Sequence, residues 1–306
     1  MSRTAAGLRS LDHEVSTVER APADARFDLL HAFTSEPHVW HMLQHWTRNP
    51  CPLVVTSIVV VSPGRTERLM RLAARLPAPL TSVRMKREVL QRAAAVIAAT
   101  RYESRLLVTG FGVPPDRVSV IGNGADPIAP EEPSLPPGVP TEPFVLLVGG
   151  VSRRKRQAEV IRALGREAPV VVAGPFLGGT SERREWEAVL RGGGALWLGP
   201  VEPVAIRALQ RRALAQVLLS DAEAQSLAVV EALAAGTPVV VSDIPSHREL
   251  HDAYPSRVHL VRGARECAAA ISSLRAADRP PGPPPAVPTW RDVAARVAEV
   301  YRRVLG

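Results

Sequence analysis

The chain has 306 residues, 46% of them hydrophobic, with a net charge of +8 and a pI near 10.5. That length suits two domains of about 150 residues, and that apolar content excludes a generally disordered chain. No apolar run approaches the roughly 18 residues of a membrane-spanning helix, and MSRTAAGLRSLDHEV carries no signal-peptide core. Only Cys51 and Cys267 are present, far apart and without metal-ligand spacing, so a reduced, cytoplasmic protein is expected.

In chain order, LRSLDHEV reads as the end of a helix. EVSTVE, FDLLHAF, PLVVTSIVVV, AAVIAAT and RVSVIGNG read as strands. SEPHVWHMLQHW, RTERLMRLAARL and RYESRLLVTGFG read as helices between them. A doubly wound domain usually opens on a strand and a Gly-rich turn. Here neither precedes the first helix, so the expectation is a truncated start or a domain lacking its first strand. The proline-rich stretch Asp126–Pro143 separates this half from the next.

The second half alternates more clearly. FVLLVGG, APVVVAG, ALWLGPV, AQVLLS, TPVVVSD and RVHLV are short, continuously apolar strands. RQAEVIRALGRE, SERREWEAVLRG (with Ser181 as its expected N-cap), EPVAIRALQRRA, AVVEALAAG and SHRELHD are helices. A second proline-rich stretch, Arg279–Pro288, precedes the amphipathic helix TWRDVAARVAEVYRRVLG. The expected fold class is α/β, with two Rossmann-like, doubly wound parallel-sheet domains. The expected domains are a shortened N-terminal one over 1–130, a C-terminal one over 143–278, and a terminal helix over 289–306.

In open parallel sheets, ligands lie beyond the carboxyl ends of the strands. Glu223 follows AQVLLS and so stands at such an end. The helix after it points its free N–H groups and positive pole to the same place, which suits phosphate. That helix is expected to begin near Leu227 or Ala228, with Glu231 in about its first turn. Carboxylates only accept hydrogen bonds, so the two suit a polyhydroxyl ligand. Lysine occurs only at Lys86 and Lys155. Lys155 follows FVLLVGG, flanked by Arg153, Arg154 and Arg156, a set able to neutralise a diphosphate. A solvated basic loop and solvated glutamates are the competing readings.

EAQSLAVVEALAAGTPVVVSDIPSHREL resembles the E-x7-E segment of the GT-B nucleotide-sugar-dependent glycosyltransferases, specifically the retaining family four, also called glycosyl transferases group 1. VGGVSRRKRQ resembles that family's phosphate-binding loop. RAAAVIAATRYESRLLVTGFGVPPDRVSVIGNGADP resembles the end of its acceptor domain, and PTWRDVAARVAEVYRRVL its final, back-crossing helix. The resemblance implies transfer of a sugar, with retention, from a UDP- or GDP-sugar donor to a hydroxyl acceptor. Glu223 and Lys155 would be catalytic, Glu223 facing the sugar and Lys155 the diphosphate. Glu231 would hold the ribose. Ser226 and Leu227 would offer backbone N–H groups. Arg154, Gly174 and Gly199 would complete the donor site. No cofactor and no metal is implied. This chain departs from the family pattern at Gly150, often Arg there; at Ala224-Gln225-Ser226, usually Gly-Phe-Gly; and at Ile58, commonly His. A non-catalytic or truncated nucleotide-sugar binder of the same fold is the alternative.

Other signals lead elsewhere. His38, His41 and His45 share one helix face, which is read as a cleft-facing or partly exposed surface rather than a metal site. His31 could line a cleft or be a satisfied histidine at a sheet edge. Arg65, Arg68, Arg71 and Arg75 make RTERLMRLAARL basic, suggesting a peripheral contact with the inner face of a membrane if the acceptor is lipid-linked; an ordinary surface helix is the competing reading. Asn123 is read as a turn residue. Nucleic acid is set aside as a partner, because the arginines are dispersed and aromatics are only 4%.

Overall fold

The structure, a computed structural model, describes residues 2–17, 26–45, 51–62, 64, 67–70, 81–126, 134–165, 167–277 and 283–306. The chain divides into two compact units: Met1–Gly124 with Glu223–Gln225 and Pro288–Gly306, and Ala125–Ala222 with Ser226–Val287. Among the described residues no helix is long and apolar enough to cross a membrane.

The first unit holds four strands, β1 (Leu30–Ala32), β2 (Leu53–Thr56), β3 (Ala95–Ala98) and β4 (Val118–Val120), side by side in that order. All pairs are parallel, with Leu30 opposite Leu53, Val54 opposite Ala95 and Val96 opposite Val118. The central strands are buried on both faces, which is why LVVT and AVIA read as unbroken apolar runs. One face carries Val55, Val96, Leu107 and Phe111. The other carries Val54, Ile97 and Ile121 against the helix Trp290–Leu305, which turns Val293, Ala294, Val297 and Ala298 inward. Thr289 caps that helix reciprocally: its N–H donates to Asp292 Oδ2 at 2.8 Å, and the Asp292 N–H donates to Thr289 Oγ1 at 3.2 Å.

Three expectations for this unit change. Residues 14–17 of EVSTVE form no strand, and Val18 and Glu19 lie outside the described residues. PLVVTSIVVV is a strand only over Leu53–Thr56, because Ile58 takes a positive φ and breaks the ladder. Of RTERLMRLAARL, residues 67–70 are helical, whereas Arg65, Arg71 and Arg75 lie outside the described residues.

The second unit holds six parallel strands: β5 (Val145–Val148), β6 (Val170–Ala173), β7 (Ala195–Trp197), β8 (Ala215–Leu218), β9 (Val239–Ser242) and β10 (Val258–Val261). Their order is β10-β9-β8-β5-β6-β7. Read from β7, this is the dinucleotide-fold order 3-2-1-4-5-6, which reverses direction between β5 and β8. Helices Gln157–Leu164 and Ala264–Ala276 cover one face with Val160, Ile161, Leu164, Cys267 and Ile271. Leu135 and Val139 already pack on Phe144 and Leu146, so this core begins before its first strand. The helix Thr180–Arg191 is capped two residues earlier than Ser181: Gly179 is its N-cap, and the Gly179 N–H donates to Glu182 Oε2 at 3.0 Å.

Candidate functional site

Where a parallel sheet reverses its strand order, the loops on either side diverge and leave a crevice at the carboxyl ends. In the second unit those loops are Gly149–Arg156 after β5 and Leu219–Ala222, leading to Ser226, after β8. They are laced together. The Asp221 N–H donates to the Arg154 carbonyl at 3.1 Å. Arg154 Nη1 donates to Ser220 Oγ at 3.1 Å and to the Ala222 carbonyl at 2.5 Å. Ser220 Oγ donates to that same carbonyl at 3.0 Å, and Ser242 Oγ, at the end of β9, donates to the Ser220 carbonyl at 2.6 Å. Arg154 is therefore a staple between the two loops.

Arg153 and Arg156 are turned onto carboxylates. Arg153 Nε lies 3.5 Å from Glu182 Oε1. Arg156 grips Glu159 with two bonds, Nε at 3.1 Å and Nη2 at 2.7 Å, and stands 3.9 Å from Asp221. That hydrogen bonding raises the Arg156 guanidinium further and holds the Glu159 carboxyl below its ordinary range. These contacts give Arg153 and Arg156 a part in shaping the loop.

Lys155 ends a short 3-10 turn, Arg153–Lys155. Its ammonium lies over Gly149, where a β-carbon would stand 2.7 Å from Nζ. Gly149 has φ +123° and Gly174 φ +147°. A β-carbon on Gly174 would overlap the Gly149 carbonyl, so the two backbones touch. Gly149 N–H donates to Ala173 O at 2.8 Å and Gly174 N–H to Gly199 O at 2.7 Å. Three glycines thus stand at the ends of β5, β6 and β7, with open space beside Gly199. Gly150 is covered by Leu177, so a larger residue there would displace that side chain.

The helix Leu227–Ala234 begins at the N-cap Ser226. Its direction is set by two buried glutamines: the Ala228 carbonyl accepts from Gln210 Nε2 at 3.1 Å and from Gln216 Nε2 at 2.8 Å. Gln216 sits within β8 and is fully buried. Sequence reasoning passed over it, although a glutamine inside an otherwise apolar strand was the available signal. Glu231 is the fifth residue of this helix, just past its first turn and about 6 Å along the axis from Leu227. It is half-buried.

Glu223, also half-buried, is the next residue after Ala222, and the segment Glu223–Gln225 packs with the first unit. There the Asn123 N–H donates to Gln225 Oε1 at 2.5 Å, and Asn123 Nδ2 donates to the Gln225 carbonyl at 3.2 Å. A β-carbon on Gly122 would stand 2.8 Å from Gln225 Nε2. Asn123 is therefore an anchor for the loop that carries Glu223, rather than only a turn residue. Gln225, in the place of the family's phenylalanine, is its partner.

Within the first unit, His31 is a satisfied histidine. Its ring nitrogens meet Tyr301 Oη at 2.6 Å and Thr56 Oγ1 at 2.9 Å, and the ring stacks on Phe33 at 4.1 Å. Burial lowers its pKa to about 3. A buried acid in the same unit escaped sequence reasoning. Glu103 Oε1 accepts from Ser57 Oγ and the Val59 N–H, both at 2.6 Å, and Oε2 accepts from the Ala99 N–H at 2.7 Å. Burial pushes this carboxyl up, and the three donors pull against that. The signal was T-x-x-E at Thr100–Glu103, a capping-box spacing. Thr100 Oγ1 does accept from the Glu103 N–H at 3.1 Å, but the glutamate side chain reaches past the cap to the end of β2.

Two parallel-sheet α/β units, one in dinucleotide-fold order with glycines at three strand ends, define the GT-B class of proteins. Residues 136–277 match the family model described as Glycosyl transferases group 1, and residues 5–128 the one described as Glycosyltransferase Family 4. Together they span most of the chain, which belongs to this glycosyltransferase family. It is similar to a D-inositol 3-phosphate glycosyltransferase of Nocardia farcinica, 28% identical over 55% of this chain and 42% of that one. It is also similar to one of Xylanimonas cellulosilytica, 27% identical over 75% and 59%. The chain thus matches about half the length of these relatives. A solved sucrose-phosphate synthase from Thermosynechococcus elongatus shares the fold, with a TM-score of 0.70 and 20% identity over 91% of this chain and 74% of that one.

Proposed function

We propose that the protein transfers a sugar from a UDP- or GDP-sugar to a hydroxyl acceptor, with retention of configuration and without a metal ion. Lys155 neutralises the diphosphate, and the N–H groups of Ser226 and Leu227 bind it at the helix start. Arg154 holds the two loops in register around it. Gly174 and Gly199 let the donor lie against the backbone, Glu223 accepts from hydroxyls of the transferred sugar, and Glu231 accepts from the ribose. The observation that carries this reading is the lacing of the β5 and β8 loops across the switch point, with the Lys155 ammonium folded over Gly149. Lysine and helix pole together supply the positive charge that a leaving diphosphate requires.

Incubation with a panel of UDP- and GDP-sugars and candidate acceptors should release the nucleoside diphosphate, undiminished by EDTA. Lys155→Ala and Glu223→Ala should each lower that release by 100-fold or more, on the order expected for a group that meets charge in the transition state. Release unchanged in both variants would remove the assignment. Ile58, where the family commonly has histidine, favours a second reading: a nucleotide-sugar binder without turnover. Saturable donor binding with no release on any acceptor would select it.

A further inference from the structure

In the second unit two buried amide side chains converge on one carbonyl. Gln210, 0% exposed, comes from the helix Pro203–Arg212, and Gln216, 1% exposed, from β8. Gln210 Nε2 donates to Gln216 Oε1 at 3.0 Å and to Ala228 O at 3.1 Å. Gln216 Nε2 donates to the same Ala228 oxygen at 2.8 Å. Thr237, also buried, donates its hydroxyl to the Gln210 carbonyl at 2.5 Å and so ties that helix end to the chain entering β9. Ala228 is the second residue of the helix Leu227–Ala234.

Stability does not require this cluster. A carbonyl at the second position of a helix already accepts from the N–H four residues on. Adding two more donors takes two amides out of water, and Gln210 Oε1 meets no donor among the described residues, so its desolvation is not offset. Apolar side chains of similar shape would fill the space without that cost. What the amides supply is direction. The C=O of Ala228 and the N–H of Val229 belong to one planar trans peptide and point opposite ways. Holding the carbonyl toward the glutamines therefore holds the Val229 N–H toward the helix start. Val229 is the third residue of the helix, so its N–H is among those that helix geometry leaves without a carbonyl. Ser226, a residue type well suited to cap that turn, makes no side-chain cap bond to it. The opening turn is thus aimed by residues beneath it and left uncapped by its own serine.

We infer that Gln216, with Gln210 behind it, is a positioning residue for the diphosphate. By holding the 228–229 peptide it aims the Val229 N–H at the anion as a further donor beside those of Ser226 and Leu227. This rests on the proposed binding of a nucleoside diphosphate at that helix start.

The test is calorimetric titration of the full chain with UDP, GDP and inorganic pyrophosphate, in the parent, in Gln216→Met and in Gln210→Met. Methionine keeps the length and flexibility of glutamine and removes the donor. Each variant should bind pyrophosphate and the nucleotide about three- to tenfold more weakly, the worth of roughly one hydrogen bond, and should melt at or above the parent's temperature. Pyrophosphate should slow deuterium exchange of the Val229 amide in the parent, and that protection should be lost in Gln216→Met. Unchanged affinity in both variants would overturn the inference. So would weaker binding with the Val229 protection intact, which would make the cluster a structural one. Should one variant fail to fold, the other carries the comparison; if neither folds, the cluster is structural and the inference falls. Pyrophosphate binding that depends on Gln216, without sugar transfer from any donor, would remove the transfer reading and leave this inference. Transfer with binding indifferent to Gln216 would do the reverse, and a parent that binds neither nucleotide nor pyrophosphate would remove both.

Discussion

The Lys155 ammonium and the Gly149 α-carbon are packed against each other, so that any side chain at 149 would meet the lysine head. Gly149→Ala therefore carries two penalties. Lys155 can swing aside cheaply, but φ +123° is closed to alanine, and the strain should cost about 1–3 kcal/mol. Denaturant unfolding should show that loss, and UDP or GDP affinity should fall with it. Lys155→Ala is the comparison: affinity falls and stability stays. A Gly149→Ala protein as stable as the parent would contradict the backbone argument.

Arg154 should behave as a staple. Arg154→Ala removes the bonds to Ser220 and Ala222, and at this exposed position about 1–2 kcal/mol of local stability should go with them. The amide of Asp221, bonded to the Arg154 carbonyl, should then exchange with deuterium at least several-fold faster. Unchanged exchange would show that the loops are held by other bonds.

Glu103→Gln should be costly despite its small change in shape. A carboxylate accepts from Ser57, Val59 and Ala99 together, whereas an amide must present its NH2 to one of these donors. One buried N–H or hydroxyl is left unsatisfied, at about 1–3 kcal/mol. The effect on thermal unfolding should be partly reversed by adding Ile58→Gly, because the strained residue that Glu103 restrains is then gone. Strict additivity of the two changes would argue that they are independent.

His31 predicts a pH dependence. Its folded-state value is depressed to about 3 from an ordinary 6.5, so the folded protein holds the ring neutral while the unfolded chain protonates below 6.5. The contribution is fully present above pH 6.5 and is lost as pH falls toward 3, amounting to roughly 2–4 kcal/mol for this half-buried ring. Carboxylates titrate in the same window, so the measurement is a difference. Urea midpoints of the parent and of His31→Gln, between pH 7.5 and 4, should converge as the pH falls. Parallel curves would mean that His31 takes up its proton in the folded protein as readily as in the unfolded chain.

Much of this was legible in the residues. The run FVLLVGG announces a strand and its glycine turn, because continuous burial selects apolar, partly β-branched residues and a tight exit selects glycine. Lys155, Glu223 and Ser226 could be placed just beyond strand ends for the same local reason. Less legible was anything set by a partner distant in the chain. PLVVTSIVVV reads as one long strand, and only the Glu103 carboxylate, 44 residues beyond Val59, explains why it stops at Thr56. Nothing local says that Ser220 and Ala222 lie beside Arg154.

The sequence by itself determined the alternation of strands and helices, the proline-marked breaks and the residue types that stand after each strand. These follow from periodicity, turn stereochemistry and solvent exclusion, which act within a few residues. The tertiary structure alone decided that β8 lies beside β5, that Gln210 and Gln216 aim the helix after it, and that Ser57 and Val59 share one buried acid. Those relations join donors and acceptors through space, and the cost of leaving a buried polar group unpaired enforces them only once the whole unit has closed around it.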